Sequence, residues 1–484
     1  MTNPTSTHRF TDHNNARQFL TQHGHNLKYV PTWGWLIWDG KRWLKDQSNL
    51  ITSLAKETLL NSSSPALNTD ILPRIKTMLT LASTEPALIA SPSQFDTHPF
   101  LLNVSNGTLD LHTGDLKPHD PHDLITRLIP IEYHPHATSP IWDTFLDQIT
   151  NHDHALYQYL QRAIGYTLTG STREETFFLL YGPGRNGKSR FLAAISSIMG
   201  DYMQHVPSFT FTRTSSSLSN LPALAATRFI TMTETAPGQA LDLSIIKRIT
   251  SGEPLTISTS RETLSLQPQF KLWLVTNNLP TIPEQSIAIW QRIKLIPFMT
   301  SFVGREDKEL AEKLNTVQPA ILSWAVQGCL LWLQNGWQEP DCVKQATATY
   351  KDEQDELADF FHDCCAINDS KRIKARDLYM VYQLWCNVKG TKALSETSFG
   401  SKVLAHGYQR ERKKAGKIYC GIGLIDSLAS LPQELARHRT NSPRTASSPA
   451  LPDNLDSFFL KGIHNQATEG CIGCIVEQPF LAKH

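Results

Sequence analysis

The chain has 484 residues, 40% of them hydrophobic and 19% charged, enough apolar mass for about three packed domains, which excludes a largely disordered protein. A formal net charge of +1 excludes a partner chosen by overall charge and leaves that question to its distribution. The opening stretch MTNPTSTHRFTDHNN lacks the apolar core of a secretory signal, and the apolar run 320–333 is broken by Gln327 and Gly328, so no membrane partner is expected.

In chain order, residues 1–140 read as an N-terminal mixed α/β domain. WGWLIWDGKRW (33–43) alternates apolar and polar residues around Asp39-Gly40, and 100–116 repeats the pattern around Asn106-Gly107, so both read as hairpins. Trp33, Trp35, Trp38 and Trp43 are expected as hairpin core rather than a base-stacking platform. Residues 141–170 read as a helical linker carrying Trp142, Phe145, Leu146 and Ile149, then Leu156, Tyr159, Leu160 and Ile164. From 171 to 300 strands alternate with helices, the pattern of a parallel nucleotide-binding sheet. A helical lid is expected at 301–342, a small module of helices and a hairpin at 343–425, and a Pro/Ser/Thr-rich disordered tail at 426–484. The eight cysteines all follow residue 328 without disulfide-scaffold spacing, which fits a reduced compartment such as a bacterial host cytosol. Cys471 and Cys474 form a lone CxxC that no second pair completes into a zinc site.

The strongest chemical signal is TFFLLYGPGRNGKSRFLAAISSIMG (176–200). An apolar strand runs into Gly182, Pro183, Gly184, Arg185, Asn186, Gly187, Lys188 and Ser189, and a helix with Phe191, Leu192, Ile195 and Met199 on one face follows. In such a loop, backbone N–H groups wrap phosphates, Lys188 reaches the β/γ-phosphates of ATP, and Ser189 ligates Mg²⁺. The positive end of the helix faces the same anion.

Hydrolysis needs more than this loop: a carboxylate near the attacking water, a polar sensor of the γ-phosphate and a cation for the transition state. The buried run 229–232 ends near Glu234, where a Walker-B acid and second Mg²⁺ contact belongs. The run FKLWLVT (270–276) closes on Asn277, a candidate sensor, and Arg292 stands ahead of the apolar run 293–296 as a candidate finger. Between them, 255–269 reads as a protruding hairpin with Arg261 near its tip as a candidate phosphate contact.

Together these residues resemble the superfamily 3 helicases, in particular the helicase part of the phage/plasmid primase family related to the poxvirus primase-helicase. The stretches LLNVSNGTLDLHTGDLKPHDP, LQRAIGYTLTGSTREETFFLLYGPGRNGKS, TETAPGQALDLSIIKRITSGEPLT, FKLWLVTNNLPTIPEQSIAIWQRIKLIPF and LADFFHDCC carry the resemblance, in the family's order, from about residue 25 to 425. It implies a AAA+-type α/β ATPase core that assembles as a homo-hexameric ring and moves 3′-to-5′ along single-stranded DNA. It assigns ATP and Mg²⁺ to Lys188 and Ser189, the Walker-B acid to Glu234, the sensor to Asn277, an in-trans finger to Arg292 and the DNA-gripping loop to 255–269. Arg190, Thr233 and Ser258 depart from the family pattern. Only about thirty residues precede the similarity and hold no paired-carboxylate cluster, so no primase activity is expected and a separate primase or initiator would supply primers.

Near the C-terminus, residues 371–420 hold twelve Lys or Arg against three acids, a local excess of +9 in a chain whose total is +1. Two helices (374–390, and 395–407 capped by Ser395) precede a hairpin (408–424) with Arg410, Arg412, Lys413 and Lys414 on its first arm. This is a winged-helix pattern, and with Lys402 these residues are the expected contacts to single-stranded and forked DNA. The expected function is therefore an ATP-dependent DNA helicase of a phage, plasmid or integrated element. The alternatives are an ATP- and DNA-binding initiator without unwinding, or another P-loop NTPase.

Overall fold

The computed structural model describes residues 12–62, 71–211, 224–233, 240–258, 263–282, 284, 286–413 and 416–432, so Glu234, Arg261, Lys414, Cys471, Cys474 and the tail beyond 432 lie outside the described residues. The chain divides into two compact units, one of residues 1–281 and 291–347, the other of 282–290 and 348–484.

The larger unit opens with α1 (Asp12–His23), β1 (Leu27–Val30), β2 (Gly34–Trp38), β3 (Trp43–Lys45), α2 (Leu50–Ser62) and α3 (Ile71–Ala82). β1, β2 and β3 form an antiparallel meander in which Trp38 faces Trp43. Asp39 sets its turn by accepting from the amides of Lys41 and Arg42, both at 2.8 Å. Trp43 is buried and donates Nε1 to the Pro121 carbonyl at 2.8 Å, while Trp33 packs on Phe95. Trp43 is core, and Trp33, Trp35 and Trp38 are half-buried against the apolar clusters of this region. β1 was not legible as a strand, because Leu-Lys-Tyr-Val is too short a run for its period to register.

Next come β4 (Leu101–Val104), β5 (Gly107–Asp110) and β6 (Leu116–Lys117), a second meander whose tight turn joins Val104 to Gly107. Then follow α4 (Pro140–Ile149), α5 (His154–Leu168), β7 (Phe177–Tyr181), α6 (Lys188–Met199), β8 (Met203–Val206), β9 (Phe229–Thr233), α7 (Leu243–Ser251), β10 (Leu255–Ser258), β11 (Thr263–Leu266) and β12 (Lys271–Thr276). β13 (Ile293–Pro297), α9 (Leu310–Asn315) and α10 (Gln318–Asn335) complete the larger unit, and the unit boundaries fall within α8 (Ile287–Arg292) and α11 (Asp341–Glu353).

Five strands make one all-parallel sheet in the order β13-β7-β12-β9-β8. The apolar runs of β7 and β12 are covered on both faces, as a central parallel strand requires. The segments expected as a linker (141–170) and a lid (301–342) belong to this core. α4, α5 and α10 share one hydrophobic cluster with α6 and the sheet. α5 and α10 cross at two glycines: a Cβ on Gly328 would lie 1.9 Å from the Gln161 carbonyl oxygen, and one on Gly165 2.0 Å from the Cys329 nitrogen. Helices in such intimate contact form a single layer.

The smaller unit contains α12 (Ala358–Cys364), β14 (Cys365–Lys374), α13 (Ala375–Val388), α14 (Glu396–Ala405), β15 (Gln409–Lys413) and β16 (Gly416–Leu424). Its strands pair antiparallel in the order β14-β16-β15 over a core of Phe360, Leu378, Trp385, Phe399, Val403, Tyr419 and Ile422. Ser395 caps α14, accepting from the Ser398 amide at 3.2 Å, as its sequence position led us to expect. β14 was not expected, because its run CAINDSKRIK offers a single buried side chain and no alternation.

Candidate nucleotide-binding site

Parallel pairing brings the C-terminal ends of three strands to one edge of the sheet. Thr276 of β12 lies beside Tyr181 of β7, and Val275 beside Thr233 of β9. The loop from Gly182 to Ser189 leaves this edge, and so does the turn holding Asn277. Glu234 follows directly on Thr233 in the chain and lies outside the described residues.

The loop's shape follows from its residues. Gly182 has φ +154°, and a Cβ there would stand 2.1 Å from the Phe298 carbonyl oxygen, so no other residue fits without moving backbone. Asn186 is buried; its Nδ2 donates to that carbonyl at 2.6 Å and its Oδ1 accepts from Lys188 Nζ at 2.9 Å. Lys188 also donates to the carbonyls of Gly182 (2.7 Å) and Pro183 (3.4 Å). The ammonium is thus folded into the loop at the start of α6, whose N-cap is Gly187. Arg185 adopts φ +58° and pairs with Glu306, and its carbonyl accepts from the Phe302 amide at 2.9 Å. The Phe298 amide donates to the Tyr181 carbonyl at 2.7 Å. The segment 298–306 therefore braces the loop, a role invisible in sequence because it lies over a hundred residues away.

The loop, Arg190, Val275, Thr276 and Asn277 enclose a cleft of about 200 Å³. Ser189 and Asn277 are exposed on it. Thr276 Oγ1 accepts from the Asn278 amide at 3.0 Å and donates to the Asn278 carbonyl, a turn that leaves Asn277 at the rim. The residues fit a phosphate chain: a glycine-shaped cradle, a buried ammonium and a helix N-terminus. The volume is below the roughly 300–1,000 Å³ usual for small-molecule sites.

Arg292 is elsewhere. It ends α8 immediately before β13, and Ile293 pairs with Phe177, so it sits at the sheet edge opposite the phosphate loop. Its side chain is 15% exposed, paired with Glu175, and donates to Thr250 Oγ1 (3.2 Å) and Ser251 Oγ (3.1 Å). The structure brings Lys188, Ser189 and Asn277 together and keeps Arg292 apart from them within one chain. β10 and β11 pair in register around the segment that holds Arg261, which is outside the described residues.

Two buried cations that sequence reading missed support the same sheet. Arg228 Nη1 donates to the Leu168 carbonyl (2.7 Å) and Nη2 to the Leu101 carbonyl (2.6 Å), with the guanidinium over Tyr202. Lys271 bonds to the Thr169 and Ser171 carbonyls; burial, then the Arg228 charge, hold it well below the usual lysine range. Both serve the C-terminal end of α5. Their signal was a charge beside each apolar run, Arg228 before 229–232 and Lys271 within 270–276.

In the smaller unit, Arg410, Arg412 and Lys413 lie along exposed β15, and Lys413 pairs with Glu411 at 3.2 Å. Lys402 differs: it is largely covered and paired with Glu356 at 3.1 Å. Lys414 lies outside the described residues.

Comparison with known proteins bears on both ends of the chain. Residues 9–151 match a family described as "D5 N terminal like", and 352–427 one described as "Poxvirus D5 protein-like". "Putative helicase L207/L206" of Acanthamoeba polyphaga mimivirus is 25% identical over 354 residues, covering 67% of this chain and 37% of its own. Proteins of the same designation, 184R of Invertebrate iridescent virus 6 and 022R of Frog virus 3 (isolate Goorha), are 24% and 22% identical, covering 60% and 48% of this chain and 35% and 26% of theirs. This chain therefore spans about a third of the length of these relatives. The apo structure of the NrS-1 C-terminal region aligns with TM-score 0.48 and 10% identity over 84% of this chain and 98% of that one. D5-type regions at both ends and similarity to viral putative helicases across most of its length support a place for the chain in the phage and viral primase-helicase family.

Proposed function

We propose that this chain is an ATP-dependent DNA helicase of a phage, plasmid or integrated mobile element, working as a hexameric ring that moves 3′-to-5′ on single-stranded DNA. The observation that carries this reading is the division of labour across the sheet. The phosphate loop and Asn277 share a cleft at one edge, while Arg292 stands at the other. A guanidinium so placed serves a neighbouring copy's cleft, and a cleft this small is the kind a neighbour completes.

In this reading Lys188 leaves its loop carbonyls for the β/γ-phosphates, and the amides of Gly184 to Gly187 line the phosphate chain. Ser189 and Glu234 would hold Mg²⁺, which when bound neutralises phosphate charge. Glu234 orients the attacking water and takes its proton as the water oxygen bonds to the γ-phosphorus and the bond to the β,γ-bridging oxygen breaks. Asn277 hydrogen-bonds the γ-phosphoryl oxygens, and Arg292 of the neighbour offsets their developing charge. The 255–269 hairpin, with Arg261, grips the strand, and the smaller unit, read as a winged helix, holds DNA through Arg410, Arg412, Lys413 and Lys414.

A second reading, an ATP- and DNA-binding initiator without unwinding, draws on the pairing of Arg292 with Glu175 inside one chain, which occupies the finger. Strand displacement on forked DNA separates the two. Wild type with ATP displaces the strand and Lys188→Ala does not; absence of displacement by the assembled wild-type protein, with DNA bound, favours the initiator.

A further inference from the structure

The positive charge of the smaller unit is not where a helix-in-groove reader would carry it. In such a module the N-terminal residues of the second helix of the pair meet base edges. Here that helix is α14, whose exposed positions are Glu396, Thr397, Ser401 and Ala405. Its one base, Lys402, is covered and neutralised by Glu356. The first turn thus offers an acid, which repels phosphate.

The strands differ. β15 is exposed at every position, and Arg410 and Arg412, two apart, fall on one face of it. Register places Arg410 opposite Tyr419 and Arg412 opposite Lys417. Tyr419 is buried, so this face of the hairpin turns toward the helical core at Tyr419 and continues beyond it as a basic row. Arg412 and Lys417 are both exposed, and neither forms an ion pair among the described residues. Like charges directly opposite on neighbouring strands destabilise a hairpin. Such a pair is retained at a cost in stability, and a partner of opposite charge removes that cost. The next row on the other face holds Lys374 across β16 from Glu411.

We infer that Arg410, Arg412 and Lys417, carried by the β15–β16 hairpin, form a docking ledge for the phosphate backbone of duplex DNA, and that α14 does not enter a groove. The module then reads charge and not sequence. This inference rests on the DNA-binding reading above and sharpens it.

Fluorescence anisotropy with the full chain tests it on two duplexes of unrelated sequence across a salt series. Wild type should bind both alike. Arg412→Gln with Lys417→Gln should weaken binding to both by about tenfold and flatten the dependence of log affinity on log salt by about two. Thr397→Ala with Ser401→Ala should leave affinity within about twofold. Removing the like-charge pair should also leave Tm no lower than in wild type. The inference is overturned if wild type binds DNA and the strand variant binds with unchanged slope, if the α14 variant loses affinity for one duplex and not the other, or if the strand variant melts lower. If wild type binds no DNA, the reading on which it rests fails instead.

Discussion

Asn186 occupies one of the unspecified places of the phosphate-loop motif, yet it joins the Lys188 ammonium to the Phe298 carbonyl through its two side-chain atoms. Asn186→Asp would set a buried carboxylate against Lys188, hold the ammonium in the loop and weaken nucleotide binding by at least tenfold by calorimetry. An unchanged affinity would mean that the ammonium does not exchange loop oxygens for phosphate. The glycines, Lys188 and Ser189 were legible because chemistry demands those residue types at that spacing; the brace was not, because its partner lies 112 residues away. Asp355 allows a pH prediction. Burial pushes its carboxyl up, but hydrogen bonds from His406 Nε2 (3.0 Å) and the Leu357 amide (3.0 Å) outweigh this and hold it below the usual carboxylate range. A lowered folded pKa means a stabilising contribution present above the unfolded value, near 3.9, and lost as pH falls through the folded value. Asp355→Asn should therefore lose part of the fall in Tm below about pH 4. An identical acid limb in both proteins would contradict this.

At the scale of elements, α5 ends against two buried cations, Arg228 and Lys271. Arg228→Met keeps much of the volume but leaves the carbonyls of Leu168 and Leu101 without their donor, at a cost of about 3 kcal/mol in chemical denaturation. A cost below about 1 kcal/mol would show that these carbonyls find other partners. The strands β7, β9 and β12 were legible as apolar runs because a central parallel strand buries both faces. β14 was not, since an edge strand of charged residues shows no period. The packing of α5 on α10 was not legible either: two apolar helices separated by about 150 residues do not name each other, and Gly165 and Gly328 acquire meaning once the helices cross. The pairing of Lys402 was hidden for a related reason. Its charge was counted, but the Glu356 that cancels it comes from a distant turn.

At the scale of the molecule, one chain carries a cleft lined by the glycine-rich loop and Asn277 at one sheet edge and the Arg292 guanidinium at the other. Within one chain these parts do not meet. A site shared between two copies would need Arg292 of one to leave Glu175 and face the other's cleft. Lys188→Ala and Arg292→Ala should each hydrolyse ATP at less than about a thousandth of the wild-type rate. They fail for different reasons, one at the cleft and one at the finger. The direct measurement is ATP hydrolysis, with DNA present, by an equimolar mixture of the two variants. Random assembly pairs an intact cleft with an intact finger at about one interface in four, so activity should return to roughly a quarter of wild type. A mixture as inactive as either variant alone, in assemblies shown to exchange subunits, would contradict a site shared between copies.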